Sequence, residues 1–190
     1  VLFRSLWTCG YNGHGELGYE SYSFDVPKTV NYSSPVQIGS RTPWSNTDPT
    51  VQISPSYSGP AALVIKSDNT LWAWGWNRYG QVGNGTAAIG SYYSSPVQVG
   101  TLTNWKQVSC GYVSVYSIKT DGTLWAWGYG VDGKLGNGVS VSYSSPIQIG
   151  SLTDWKQVSG GNDHVAAIKT DGTLWSWGVN DRGQLGDGTR

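Results

Sequence analysis

One thirteen-residue pattern recurs along the chain and fixes the spacing of everything else. It reads LWSWGVNDRGQLG from Leu174, and it also occurs as LWTCGYNGHGELG from Leu6, LWAWGWNRYGQVG from Leu71 and LWAWGYGVDGKLG from Leu124. Between the copies lie two further recurring segments. YSSPVQIG from Tyr32 returns as YSSPVQVG from Tyr93 and YSSPIQIG from Tyr143, and WKQVSCG from Trp105 returns as WKQVSGG from Trp155. Ten of the 11 tryptophans fall at three positions of this repeat, with Trp76 outside it. Self-similarity at such a period indicates a solenoid, a propeller or an array.

The repeat is built of strands. Short runs rich in Val, Ile, Thr and Trp are separated by turn residues, and no 3.6-residue periodicity appears. Asp121-Gly122 and Asp171-Gly172 each stand between two such runs, which reads as a hairpin with a type I′ turn; Asp68-Asn69 occupies the same place in an earlier copy. Pro35, Pro96 and Pro146 follow Ser-Ser and read as strand openers. Each unit is therefore expected to hold four strands in the order PVQIG, WKQVS, VAAIK and TLWSW.

Alternate residues of a strand face opposite ways. In the last copy Trp175 and Trp177 share one face, Leu174 and Ser176 the other, and neither is a solvent face. Such a strand needs a covering layer on both sides, which stacked propeller blades supply. The fold class is therefore all-β, a propeller of four-stranded blades. A buried indole removes roughly 150–250 Å² from water, so the tryptophans are first a packing device.

Composition narrows the function. Lys plus Arg equals Asp plus Glu, 12 against 12, so the positive excess of a nucleic-acid surface is missing. No run of 18 apolar residues would span a bilayer. The low charged content, 13%, with many Ser, Thr, Tyr and Gly, points to an extracellular or virion-associated setting rather than the cytoplasm. Cys9 and Cys110 occupy unrelated repeat positions and read as free thiols. Only His14 and His164 could serve acid–base or metal chemistry; no third ligand recurs near either. Gly-x-Ser-x-Gly is absent, and GQLGDGT lacks the lysine of a phosphate loop. Asp163 is adjacent to His164 only in sequence. No enzyme activity and no cofactor are expected.

The ordered set SSPVQIG, WKQVSGG, His164-Val165-Ala166-Ala167-Ile168, Asp171-Gly172, Trp177-Gly178 and Gly183-Gln184-Leu185-Gly186 resembles the regulator of chromosome condensation repeat. The resemblance covers Leu6 to Thr189 and implies a seven-bladed β-propeller, with a structural hydrogen bond from His164 within its blade. Three units and one extra strand cannot close such a ring. The expectation is an incomplete open arc with exposed end faces, the remaining blades belonging to a longer chain. Residues 1–5 match nothing later and read as a non-native remnant of the kind left at the ends of assembled environmental reads. Residues 6–18 read as the last strand and loop of a preceding blade, and units 1 to 3 as 32–86, 93–138 and 143–190. The structural signature comprises Trp72, Trp74, Gly75, Trp125, Trp127, Gly128, His164, Trp175, Trp177 and Gly178.

Repeat folds carry function in the loops that differ between copies. The segment after Trp-Gly is the most variable, which reads either as recognition or as surface drift. Its candidate interface is Trp76, Asn77, Arg78, Tyr79, Tyr129, Asp132, Asp181 and Arg182. The leading function is a non-catalytic module that binds a protein or a glycan. Exchange of guanine nucleotide on a small GTPase, which the resemblance suggests, and proteinaceous inhibition of an enzyme are the alternatives.

Overall fold

The computed structural model of the chain describes residues 6–18, 31–38, 52–55 and 61–190. The remnant at 1–5, most of the loop after Gly18, and Trp44 lie outside the described residues. Among the described residues thirteen strands run in order: β1 Trp7–Gly10, β2 Tyr32–Gln37, β3 Gln52–Pro55, β4 Ala61–Ile65, β5 Leu71–Trp76, β6 Tyr92–Gln98, β7 Trp105–Cys110, β8 Ser114–Lys119, β9 Leu124–Gly128, β10 Tyr143–Gln148, β11 Trp155–Gly160, β12 His164–Lys169 and β13 Leu174–Gly178. They form four sheets: β1-β2, β3-β4-β5-β6, β7-β8-β9-β10 and β11-β12-β13. The sheets are blades of an incomplete open arc.

The strand inventory matches the sequence reading, but its phase does not. Sequence order alone puts the YSSPVQ strand first in each unit. It instead pairs with the signature strand before it: Gln98 opposite Trp72, and Gln148 opposite Trp125. It is therefore the outer edge of the preceding blade, and each blade opens on WKQVS. Pro96 and Pro146 lie inside these edge strands, not at their start, where the register breaks. An edge strand tolerates the missing N–H there.

The hairpin turns also depart from expectation. Gly122 and Gly172 have positive φ, 79° and 87°, but Asp121 and Asp171 do not, so the turns are not type I′. Gly122 N–H closes the turn on Lys119 O at 3.0 Å, with one left-handed residue at its end. Asn69, at φ 59°, takes that place in the earlier copy. The aspartate is retained for a different reason: Asp121 Oδ1 accepts from Thr123 N–H and Oγ1–H, and that Oγ1 in turn accepts the Trp125 indole N–H at 2.8 Å. The same relay joins Asp68, Thr70 and Trp72, and Asp171, Thr173 and Trp175.

Each hydrophobic core lies between two blades. One contains Leu63, Leu71, Val99, Trp105, Val115 and Trp127; the next contains Tyr116, Ile118, Leu124, Trp155, Val158 and Val165. Hence Leu71 and Leu124 are fully buried, whereas Leu174, with no described sheet after it, is 69% exposed. The first end face also exposes Trp7, while Trp175, on the same side as Trp177, is half exposed where the last sheet has no described outer strand.

The second signature tryptophan locks each blade to the one before it. Trp74 Nε1 donates to Glu16 O at 2.7 Å, Trp127 to Gln81 O at 3.0 Å and Trp177 to Lys134 O at 3.0 Å. The glycine two residues beyond each acceptor makes room. A Cβ on Gly83 would stand 2.6 Å from Trp127 Nε1, and one on Gly136 2.7 Å from Trp177 Nε1.

The opening strands are clipped side by side. Gln107 Nε2 donates to Val158 O and its Oε1 accepts Val158 N–H, while Ser109 Oγ accepts Gly160 N–H. Ser54 and Cys110 repeat the serine contact one blade earlier. Cys9 and Cys110 are both free. The Cys110 thiol donates to Ser54 O, and burial pushes its pKa up to about 12, so it stays protonated.

His164 differs from its implied role. Its ring lies against Gly161, where a Cβ would come within 2.5 Å of Cε1, and its carbonyl accepts Gly161 N–H. Among the described residues its ring makes no hydrogen bond.

Candidate functional site: an aromatic ribbon across three blades

Each signature strand has at or next to its end a glycine whose φ is strongly positive: 94° at Gly75, 93° at Gly128 and 107° at Gly178. A Cβ at Gly128 would meet Val113 O at 2.5 Å, so only glycine allows that approach. The next residue is then held at the blade end. Tyr129 N–H donates to Val113 O, and Val179 N–H to Asp163 O.

A side-chain staple fixes the loop that follows. Asn77 Oδ1 accepts Val82 N–H at 3.0 Å, and Gln81 Oε1 accepts Tyr79 N–H at 2.9 Å. Asn12 with Glu16 and Asn180 with Gln184 repeat the arrangement. Asn77 is fully buried, so it belongs to the support of the loop and not to an interface as the sequence suggested.

The first two of these stapled loops, together with the third blade's loop, where Gly130 and Lys134 replace the pair, present five rings in a row. Tyr11 and His14 come from the first blade, Trp76 and Tyr79 from the second, and Tyr129 from the third. Neighbouring centroids are 6.5 Å apart for Tyr11–His14, 5.8 Å for His14–Trp76, 5.9 Å for Trp76–Tyr79 and 4.6 Å for Tyr79–Tyr129. The order is regular: the ring three residues into one loop packs on the ring that opens the next. Cations border the row. The Arg78 guanidinium lies 5.2 Å from the Tyr79 centroid, and Lys134 Nζ lies 5.0 Å from Tyr129. Lys134 is also paired with Asp163 Oδ1 at 2.8 Å, which ties the third blade to the fourth. His14 Nδ1 is 3.3 Å from Glu16 Oε1.

Of the residues singled out from sequence, Trp76, Arg78, Tyr79 and Tyr129 come together here. Asp132 occupies the position of His14 and Tyr79 in the third loop, with φ 60°, and supplies no ring. Asp181 and Arg182 are exposed on the fourth loop, and among the described residues nothing joins them to the ribbon. Sequence reasoning missed His14, Tyr11 and Lys134. Aligning loop position three across the copies, His14 with Tyr79, carries the signal that would have found the first.

The site offers flat aromatic area beside a flanking guanidinium. Among the described residues no three His, Cys, Asp or Glu side chains converge as metal ligands, and no helix is long and apolar enough to cross a membrane.

Comparison with known proteins agrees with this architecture. The family model for the regulator of chromosome condensation (RCC1) repeat matches residues 68–116 and 121–168, and a second model of that repeat matches 155–184. The Arabidopsis thaliana ultraviolet-B receptor UVR8 is 34% identical over 140 residues, which is 72% of this chain and 28% of the receptor. The human RCC1-like G exchanging factor-like protein is 28% identical over 129 residues, 68% of this chain and 25% of that protein. Among solved structures, human WBSCR16 superposes with a TM-score of 0.75 at 25% identity over 97% of this chain and 46% of its own. Prp20p of Saccharomyces cerevisiae gives 0.74 at 20% identity over 98% and 44%. The chain thus spans less than half the length of each of these relatives. With both repeat models matching in sequence order along the blades, the chain belongs to the regulator of chromosome condensation repeat family.

Proposed function

We propose that the chain is a non-catalytic protein-docking segment of a propeller, and that the aromatic ribbon is its contact surface. The observation that carries this reading is the continuity of five rings across three blades, four of them on loops fixed by the Asn12–Glu16 and Asn77–Gln81 staples. Rigid aromatic side chains beside an arginine are the usual anchors of protein interfaces, because they bring large contact area at low entropic cost. A relative in structure supports a protein partner, since Prp20p has binding properties to Gsp1p and histones.

Guanine-nucleotide exchange on a small GTPase is the second reading. It is favoured by the human relative whose name calls it G exchanging factor-like. The two readings separate in one experiment. The chain and its Arg78→Ala and Trp76→Ala variants are each used to capture partners for quantitative comparison, and each is added to a panel of nucleotide-loaded GTPases. Docking predicts partners depleted at least about tenfold by either variant, at an unchanged melting temperature. Faster nucleotide release with the wild-type chain makes the partner a GTPase. Equal capture by all three proteins would remove the ribbon from the interaction.

A further inference from the structure

Three Asn-Gly pairs occur in the chain, at Asn12-Gly13, Asn84-Gly85 and Asn137-Gly138. Such a pair can react with itself. The backbone nitrogen of the glycine attacks the side-chain carbonyl carbon of the asparagine, and with no Cβ the glycine does not obstruct that approach. The fold controls two conditions of the attack: how firmly the carboxamide is held, and whether the glycine N–H is already engaged.

The first two pairs are restrained. Asn12 is buried, and its Oδ1 accepts Leu17 N–H at 3.0 Å. Asn84 Oδ1 accepts twice from Thr86, from its N–H at 3.2 Å and from its hydroxyl at 2.7 Å. Gly85 N–H donates to Ser144 O at 2.8 Å, so the attacking nitrogen is tied to the outer strand of the next blade. Asn137 stands at the same repeat position as Asn84, and both restraints are weaker or missing there. Val139 replaces Thr86 and brings no hydroxyl, so Asn137 Oδ1 accepts a single bond, from Val139 N–H at 3.3 Å. Among the described residues Gly138 N–H has no acceptor, and no outer strand lies beside β13. Gly138 and Val139 are exposed, and Asn137 is partly so.

We infer that Asn137-Gly138 is a site of spontaneous deamidation, left open by a fold that closes the other two pairs. Gly138 N gives its proton to solvent base and bonds to Asn137 Cγ. The Cγ–Nδ2 bond breaks, and the nitrogen leaves as ammonia with a proton taken from water. Water then opens the cyclic imide at either carbonyl, which leaves aspartate or isoaspartate at position 137. Water is the only co-reactant, and nothing is oxidised or reduced. The aspartate product suits the turn, because Asp187 holds the same position in the next copy. Its Oδ1 accepts Thr189 N–H at 2.9 Å and the Thr189 hydroxyl at 2.7 Å. Each conversion adds one negative charge to the loop that opens on Tyr129.

The test incubates the full chain at mildly alkaline pH, folded and in urea, and follows tryptic peptides by mass spectrometry. Trypsin places the three pairs on separate peptides, 5–28, 79–106 and 135–156. In the folded chain, 135–156 should gain the mass of an NH2-to-OH exchange at least about tenfold faster than 79–106, since hydrogen bonds must first break at Asn84 and Gly85. In urea, where those bonds are gone, the rates should converge. Asn137→Gln should remove the acidic species that the folded wild type accumulates on ion exchange. Conversion of 135–156 no faster than that of 79–106 in the folded chain would overturn the proposal. The same ratio in urea would also overturn it, by assigning the difference to local sequence and not to the fold. None of these results bears on the ribbon, whose rings include neither Asn137 nor Gly138.

Discussion

Trp125 and Trp127 point to the same side of β9, each about 6.0 Å from Trp105, yet they hold different things together. Trp125 closes a relay inside its own hairpin, through Thr123 to Asp121, whereas Trp127 reaches into the blade before it. The relay has a pH signature. The Thr123 hydroxyl and N–H bonds hold the Asp121 carboxyl below the usual carboxylate range. A depressed folded pKa gives stability that is present above the unfolded value, near 3.9, and is lost as pH falls through the folded one. The urea midpoint of the wild type should therefore drop on acidification below about pH 4, and drop less steeply in Asp121→Ala. Glycine offers a paired test. Gly136 and Gly138 both have positive φ, 75° and 80°, but only at Gly136 would a Cβ stand 2.7 Å from an indole nitrogen, that of Trp177. Gly138→Ala should cost about 1 kcal/mol from backbone strain alone, and Gly136→Ala clearly more, both read by urea denaturation.

At the scale of the strand, the inner edges carry a side-chain clip that composition conceals. Gln107 makes both of its amide bonds to Val158, across two blades. Gln157 occupies the same repeat position and is exposed, with no described blade beyond it. Gln107→Ala should lower unfolding free energy by about 1–3 kcal/mol, and Gln157→Ala by less than about 0.5 kcal/mol. The contrast also shows what was legible in the sequence. Period-two alternation and the turn residues placed all four strand types, and the twofold apolar faces of LWxWG foretold layers on both sides. The grouping of strands into sheets was not legible. YSSPVQ sits between two signature strands along the chain, and only long-range pairing decides that it joins the earlier one. Asn77 misled for a related reason. Its place among variable loop residues suggested exposure, while its two bonds to Val82 and Thr86 require burial. The ribbon was half visible: Trp76, Tyr79 and Tyr129 stood out as aromatics, but that His14 joins them depends on how far one blade is rotated from the next.

At the scale of the whole molecule, no blade has a core of its own among the described residues. Every hydrophobic cluster is shared by neighbouring sheets, so stability should be distributed as nearest-neighbour terms. The ribbon follows from the same geometry, since only a fixed blade-to-blade rotation keeps Tyr79 at 4.6 Å from Tyr129. The most direct measurement is amide hydrogen exchange, sheet by sheet, in the wild type, Trp125→Ala and Trp127→Ala. Each truncation removes a large indole, at a cost of roughly 3–5 kcal/mol where burial is complete. If blades are held by one another, Trp127→Ala raises exchange in β3–β6 and β7–β10 together, whereas Trp125→Ala raises it chiefly at the 119–124 hairpin. Loss of protection confined to β7–β10 in Trp127→Ala, with β3–β6 unchanged, would contradict the account.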